Sequence, residues 1–522
     1  SENDRFNFFK ASFLQLSARE TFFQKYPVLL RVFSEKLSLW IDATSELLDR
    51  LLADRDLLET QFGIDVYEPV TYCQLSGDTH NKGRAVAVLH FSSGKKIVYK
   101  PRSVSIEAGF QNYLNFFNSV SQDIKLKTIR VASCDNYGWV EFVEYKKIKT
   151  DQESAEFHER LGALLAIVFS LEGADIFFEN LVASGADPII VDLESMFHTF
   201  IDDVSIMSSR EAAQASIYRS VNGIGILPQP TRGSSADQVF DISVLGAKTL
   251  SQAPYKVPGV ENFGRDDMRM TSVHGWIPDN HASSENEFDY KRFSEDFYGG
   301  LSAGFELLQR FKQEIVSDGG VLDQSFNGVV RRLIVRDTKV YGFLQQDETH
   351  PDLLRDQRDR QLYLDNLWAD LRHRPYLKKF ISSELSQIKD GDIPYFSGPI
   401  DSNWVKGSDG TLISLEELAP ESFLTELKKR QVAFSDKDYR EQLRLATTSL
   451  GLLNLHGLNH PNINDKSSTL DIVLSLADFI CERVKVFQKG PWLDTALNPV
   501  PEAKNANSIL VVPMNPFLYE GM

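Results

Sequence analysis

The sequence predicts an α+β fold, and three observations carry that prediction. Apolar residues recur at helical spacing near the start, at Leu30, Phe33, Leu37 and Leu39 and then at Leu47, Leu48, Leu51 and Leu52, the stripe of helices that bury one side. The segments Ala85-Val86-Ala87-Val88-Leu89-His90-Phe91 and Lys96-Ile97-Val98-Tyr99 carry strand patterns on either side of Ser92-Ser93-Gly94-Lys95. They read as a β-hairpin. Helical patterns resume over residues 293–315, 415–434 and 438–452.

Between these landmarks, residues 156–169 place Phe157, Leu161, Leu164, Leu165 and Val168 on one apolar helix face. That helix leads directly into Gly173-Ala174-Asp175. Ile189-Ile190-Val191 reads as a short buried strand ending at Asp192, with Glu194 two residues on. Carboxylates two apart on an extended chain share a face. Residues 228–237 form a loop rich in Pro, Gly and Ser, and residues 257–284 are rich in Asp, Asn, His and Gly. No internal repeat is visible.

Whole-chain properties exclude several classes. A length of 522 residues provides for two or more structural units. The net charge of -17 argues against nucleic acid or an anionic membrane as partner. Cys73, Cys134 and Cys481 are too widely spaced for a disulfide framework or a zinc motif, which fits a reducing cytoplasm. No signal-like apolar segment opens the chain. The apolar run 161–171 is shorter than the ~20 residues a bilayer requires. A cytoplasmic protein is expected.

Three stretches carry the chemistry. They are Gly77-Asp78-Thr79-His80-Asn81-Lys82-Gly83, then Val98-Tyr99-Lys100-Pro101-Arg102-Ser103, then Asp175 to Asn180 followed by Asp192-Leu193-Glu194. Singly, each has an ordinary reading: a hairpin turn, a solvated strand-end lysine, helix-capping residues. Together they stand in the order in which kinase folds hold a nucleotide. Gly77 and Gly83 let backbone approach phosphate, and Lys100 supplies a compact positive charge. An aspartate steers a hydroxyl proton, while an Asn and a second Asp hold magnesium through oxygen ligands. The segment Tyr137-Gly138-Trp139-Val140-Glu141-Phe142-Val143-Glu144 reads as a hinge strand whose backbone, at Glu141 and Val143, meets an adenine edge, or as a plain buried strand.

With these motifs in place, the chain resembles the dehydratase domain of class II lanthipeptide synthetases, the LanM type. The resemblance covers almost the whole chain. It rests on Gly77 to His80, Lys100 to Ser103, Asp192 to Glu194, Ser220-Val221 to Leu227-Pro228, Arg332 to Tyr341, His350-Pro351 and Gly391-Asp392-Ile393-Pro394-Tyr395-Phe396. It implies a lipid-kinase-like bilobal fold with an N-terminal helical cap and further, mostly helical elements after the kinase core. The implied reaction uses ATP and Mg2+, with no zinc. Ser or Thr of a precursor peptide, leader plus core, is phosphorylated, and phosphate is then eliminated.

By position the resemblance makes Lys100 the nucleotide lysine, Asp175 the catalytic aspartate, and Asn180 and Asp192 the magnesium ligands. Asp78, His80, Arg332 and Thr338 fall at positions tied to elimination, with Arg336 and Glu194 as neighbours and Glu194 able to reach the same metal. Read alone, Arg332, Arg336 and Thr338 are one solvated strand face. An imidazole beside a phosphate serves as a proton carrier near neutral pH. The expected division is a helical cap over 1–63, a kinase-like core over 64–200, an activation and elimination region over 201–345, and a C-terminal helical region over 346–522.

One position departs from the family. A histidine is expected two residues after the catalytic aspartate, and here Phe177 stands in its place. Phenylalanine neither donates a hydrogen bond nor carries a proton. A peptide kinase without elimination and a pseudokinase that only binds peptide therefore remain as alternatives. Residues 517–522 resemble the opening of the cyclase domain that full-length relatives carry. The expectation is a dehydratase without that domain, and with part of the usual N-terminal sequence missing.

Overall fold

Four helices precede the first strand: α1 (Asp4–Phe13), α2 (Leu16–Lys25), α3 (Pro27–Ala53) and α4 (Arg55–Phe62). Pro27 opens α3 at a position where its missing N–H costs nothing. Gly63, in the left-handed region at φ 67°, closes α4. The computed structural model describes residues 4–198, 215–232, 239–247, 251–277, 290–372, 374–450, 493–497 and 509–513.

A five-stranded antiparallel sheet follows, in the order β1-β2-β3-β5-β4. Its strands are β1 (Val70–His80), β2 (Arg84–Phe91), β3 (Lys96–Lys100), β4 (Val131–Ser133) and β5 (Gly138–Glu141). The expected hairpin forms, with the Phe91 N–H donating to Lys95 O. Ala87, Leu89, Phe91, Ile97, Tyr99 and Trp139 project to one face, where Leu47, Leu58 and Phe62 of α3 and α4 cover them. The early apolar stripe is less buried than its spacing suggests. Leu30, Phe33, Leu37, Leu48 and Leu52 stay exposed on α3.

Helix α5 (Ser105–Val120) connects β3 to β4, and α6 (Asp151–Ser170) follows β5. The Thr150 side chain caps α6 by accepting from the Glu153 N–H. All five apolar positions expected on this helix are buried. It packs closely against the helix Ser294–Arg310. A Cβ at Gly162 would lie 2.0 Å from Phe297 O, so only glycine allows that approach.

Strands β6 (Leu181–Ser184) and β7 (Asp187–Ile190) form a hairpin, so the expected strand ends one residue before Val191. Short β8 (Thr231–Arg232) and β9 (Val239–Phe240) pair next. A long hairpin, β10 (Ser251–Glu261) with β11 (Arg269–Ile277), overlaps the segment rich in Asp, Asn, His and Gly. A second antiparallel sheet joins β12 (Val330–Leu333), β13 (Phe396–Pro399), β14 (Trp404–Gly407) and β15 (Leu412–Ser414).

The helix expected from residue 415 begins eight residues later, as Phe423–Ala433. Ser422 caps it, accepting from the Thr425 N–H. The last expected helix spans Asp436–Ser449, and residues 451–452 lie outside the described residues, as do 517–522 and Cys481. The architecture is α+β. Among the described residues no helix is long and apolar enough to cross a membrane. The Val330 N–H donates to Ser105 Oγ at 3.0 Å, which brings β12 to the start of α5. That junction assembles the site.

Candidate active site

Lys100 ends β3, where Lys100 pairs with Gly138 of β5. Its Nζ lies 3.0 Å from Glu107 Oε1 in the first turn of α5 and 2.9 Å from Val191 O. Glu107 was not singled out from sequence. The available signal was a glutamate on the helix that follows the lysine strand, where an acidic residue also suits the helix dipole.

Arg102 turns the same way and grips Glu107 with two nitrogens, at 2.8 and 3.2 Å. Burial opposes the charge on Glu107, but Arg102 and Lys100 outweigh it and hold the carboxyl below its usual range. Arg102 also donates to Glu194 and lies 3.4 Å from Asp192 Oδ1. The other Glu194 oxygen accepts from Arg332 Nη1. The strand ends at Ile190 and the Glu194 N–H turns back to Asp192 Oδ1 at 3.1 Å, so Asp192 and Glu194 share no strand face; what they share is Arg102. Partly buried Glu194 is held far below the usual carboxylate range because Arg102 and Arg332 overcome its desolvation. A metal at Glu194 would have to displace two guanidinium groups. Asp192, 43 % exposed, is the more open ligand.

His80 sits beside this bridge. Its Nδ1 is 2.8 Å from Ile393 O, and its ring lies 5.5 Å from that of Tyr395. The Arg332 guanidinium covers the same tyrosine ring at 5.0 Å. Burial and then Arg332 lower the imidazole pKa, against the opposing pull of Glu194, Ile393 O and exposed Asp78.

The glycine turn differs from its expected form. Left-handed residues run Asn81, Lys82 and Gly83, while Gly77 lies within β1 at φ 77°, where the ladder register shifts. The Gly83 N–H donates to Asp392 Oδ1 at 3.0 Å, and the Lys82 N–H donates to the same carboxylate. Those amides face a carboxylate of the chain itself rather than open space. At the expected hinge, the Glu141 N–H is already given to Arg130 O, and its carboxylate holds the Arg130 side chain. Val143 packs beside Val104, Ile129, Val140 and Ile189. An adenine edge is therefore not met by the Glu141 N–H.

Asp175 follows α6 as expected and has φ 59°. Its carboxylate is 3.5 Å from Ser195 Oγ, and its carbonyl accepts from Asn180 Nδ2 at 2.7 Å. Crowding by protein atoms, then the charges of Glu179, Asp192 and Asp337, push its pKa up to about 6. Like charges gathered this way favour a bound cation. Phe177 is half-buried, bridges to Ser243 and lies against Gly225.

The strand-face reading of Arg332, Arg336 and Thr338 is overturned, because β12 ends at Leu333. Arg336 is buried in a separate network, with Nε 2.8 Å from Glu384 Oε1, a bond to Asp370 and another to Leu367 O. It fixes the C-terminal part of the chain and does not face Glu194. Thr338 begins the helix Thr338–Asp347, after its Asp337 cap. Through Asp337 this helix start adjoins Asp175.

Residues 26–398 match the family described as a domain of unknown function, DUF4135. The chain belongs to that family. It is also 27 % identical over 469 residues to the lacticin 481/lactococcin biosynthesis protein of Lactococcus lactis subsp. lactis, covering 86 % of this chain and 48 % of that relative. The chain therefore spans about half the length of the curated relative it matches. Both matches agree with the lanthipeptide-synthetase resemblance carried by the motifs. No three of the described His, Cys, Asp and Glu residues converge as a ready metal cage.

Proposed function

We propose that the chain dehydrates Ser and Thr of a ribosomally made precursor peptide in the cytoplasm, using ATP to phosphorylate the hydroxyl and then eliminating phosphate. The observation that carries this reading is the continuity of Lys100, Glu107, Arg102, Glu194 and Arg332 as one chain of ion pairs. It joins a nucleotide-type lysine to an arginine and an imidazole suited to a departing phosphate. The sheet order with α5 inserted after β3, and a buried lysine–glutamate pair between them, supports a kinase-like arrangement. The biosynthetic relative supports the substrate class.

In the first half, Lys100 neutralises phosphate charge and Asp175 receives the hydroxyl proton. A base with a pKa of about 6 is ionised near neutrality yet still basic enough to help. Asn180 and Asp192 would hold magnesium, which supplies neutralisation of the transferring phosphoryl oxygens. One or two protein ligands suffice, because magnesium keeps waters and substrate oxygens around it.

In the second half, a base removes the Cα proton, its electron pair becomes the Cα–Cβ double bond, and the Cβ–O bond breaks to release phosphate. Ile393 O can only accept, so His80 Nδ1 carries the proton and Nε2 offers its lone pair. Its lowered pKa keeps that lone pair free at neutral pH. Arg332 and Thr338 receive the departing phosphate, with Asp78 next to the imidazole.

The test is mass spectrometry of a precursor encoded beside the gene, incubated with the chain, ATP and magnesium. Loss of ~18 Da per residue supports dehydration, whereas gain of ~80 Da alone marks a kinase without elimination. An unchanged mass, with no ATP-dependent thermal shift, favours the peptide-binding pseudokinase.

A further inference from the structure

The turn at 81–83 is an unusual thing to leave to itself. Asn81, Lys82 and Gly83 have φ 51°, 67° and 77°, and two consecutive non-glycine residues in the left-handed region persist only where surroundings enforce them. The enforcing group is Asp392, which is 1 % exposed. Its carboxylate accepts from the N–H groups of Lys82 and Gly83. The next residue completes the grip on both sides. The Ile393 N–H donates to Thr79 O at 3.0 Å, and Ile393 O holds His80 Nδ1.

Two residues further on, the Tyr395 ring contacts both the imidazole and the Arg332 guanidinium. Its own backbone is fixed, because the Tyr395 N–H donates to Gln387 Oε1 at 2.7 Å and Ser408 Oγ donates to the same oxygen at 2.6 Å. A guanidinium over an aromatic face is held in direction as well as place.

We propose that residues 392–395, Asp-Ile-Pro-Tyr, form the positioning element of the elimination half-site. Asp392 sets the His80 loop and tautomer, and Tyr395 sets the angle of Arg332. This rests on the dehydratase reading above. The element makes no hydrogen bond to Lys100, Asp175 or Asn180 among the described residues, and four ion pairs separate Arg332 from Lys100, so its main effect falls on elimination.

Two assays on the full chain test it: phosphorylation of the precursor by ATP, and phosphate release from the same peptide carrying phosphoserine. Asp392→Asn presents an amide N–H to one of the two backbone N–H groups, and Tyr395→Leu removes the platform. Each is expected to lower the maximal rate of phosphate release by ~10²-fold, the scale of a 1 Å misplacement, with phosphorylation within about twofold of wild type. Tyr395→Phe keeps the ring and is expected to restore release. The 15N signals of His80, read between Arg332, Glu194, Asp78, Asp392 and Tyr395, are expected to report an Nδ1-protonated imidazole in wild type and a tautomer mixture in Asp392→Asn.

Equal losses in both half-reactions overturn the proposal, as does an Nε2-protonated wild-type imidazole. If the wild type itself releases no phosphate, the dehydratase reading fails, and the imidazole spectrum alone decides the positioning role. A Tyr395→Leu chain that does not fold leaves Tyr395→Phe and Asp392→Asn to give the same decision.

Discussion

Lys100 and Glu107 close a 3.0 Å ion pair across the junction of β3 and α5, with side chains only 6 % and 2 % exposed. A pair so deeply placed is a poor source of net stability but expensive to break on one side. Glu107→Ala leaves both Lys100 and Arg102 without their shared partner. The expected cost is about 3 kcal/mol or more of stability, together with loss of phosphorylation. Denaturant unfolding and an ATP assay on the same preparation check both, and an unaltered midpoint would remove Glu107 from the network.

Asp175→Asn is expected to separate stability from activity. The native carboxyl has its pKa raised to about 6 from 3.8, so the folded state binds its proton more tightly than the unfolded chain does. Ionisation therefore penalises the fold, fully above pH 6, and the penalty disappears as pH falls below 3.8. The asparagine variant should lose phosphoryl transfer and gain stability at pH 7.5, by about 1 kcal/mol after solvent screening. Thermal melts at pH 7.5 and pH 4 decide it: a gain at neutral pH that persists undiminished in acid contradicts the electrostatic account.

Arginines four residues apart should give opposite phenotypes. Arg332→Ala, like Thr338→Ala, is expected to leave phosphorylation largely intact while phosphopeptide accumulates, since one lost phosphate contact costs ~10²-fold or more. Arg336→Ala instead strands buried Glu384, and is expected to lower stability by about 3–5 kcal/mol without a specific block. Mass spectra and melting curves of the two variants separate them. Phosphopeptide accumulating in a stable Arg336→Ala protein would return that residue to the site.

Phe177→His replaces a ring that makes no hydrogen bond with one able to hydrogen-bond Asp175 or the transferring phosphoryl group. The expected single-turnover phosphorylation rate rises ~10-fold, the equivalent of about 1.4 kcal/mol. The position is half-buried beside Gly225, so the melting temperature is measured alongside. A slower enzyme with a lower melting temperature assigns Phe177 to packing.

Local pattern made the 85–99 hairpin, α6 and the placement of Lys100 legible, because periodicity and turn residues act within a few positions of one another. What stayed hidden depends on distance. Asp392 meets Lys82 from 310 residues away, and Glu384 meets Arg336 from 48. No spacing rule reports either contact. Glu107 was hidden for another reason, since a first-turn glutamate already has a sufficient explanation in the helix dipole. The pairing of the Glu141 amide was equally illegible, because its partner, Arg130 O, stands immediately before β4, a three-residue strand too short to read.

The left-handed backbone of Asp175, at φ 59°, limits which replacements are informative. Aspartate, asparagine and glycine tolerate that region, whereas alanine does so at a cost of roughly 1–2 kcal/mol. An Asp175→Ala variant therefore removes the carboxylate and pulls the loop away from Ser195 and Asn180 at once, so its lost activity reports both changes mixed. Asparagine keeps the backbone and deletes the charge, while glycine keeps the backbone and deletes the side chain. The comparison of wild type with asparagine isolates what the carboxylate charge contributes, and that of asparagine with glycine what the neutral side chain contributes.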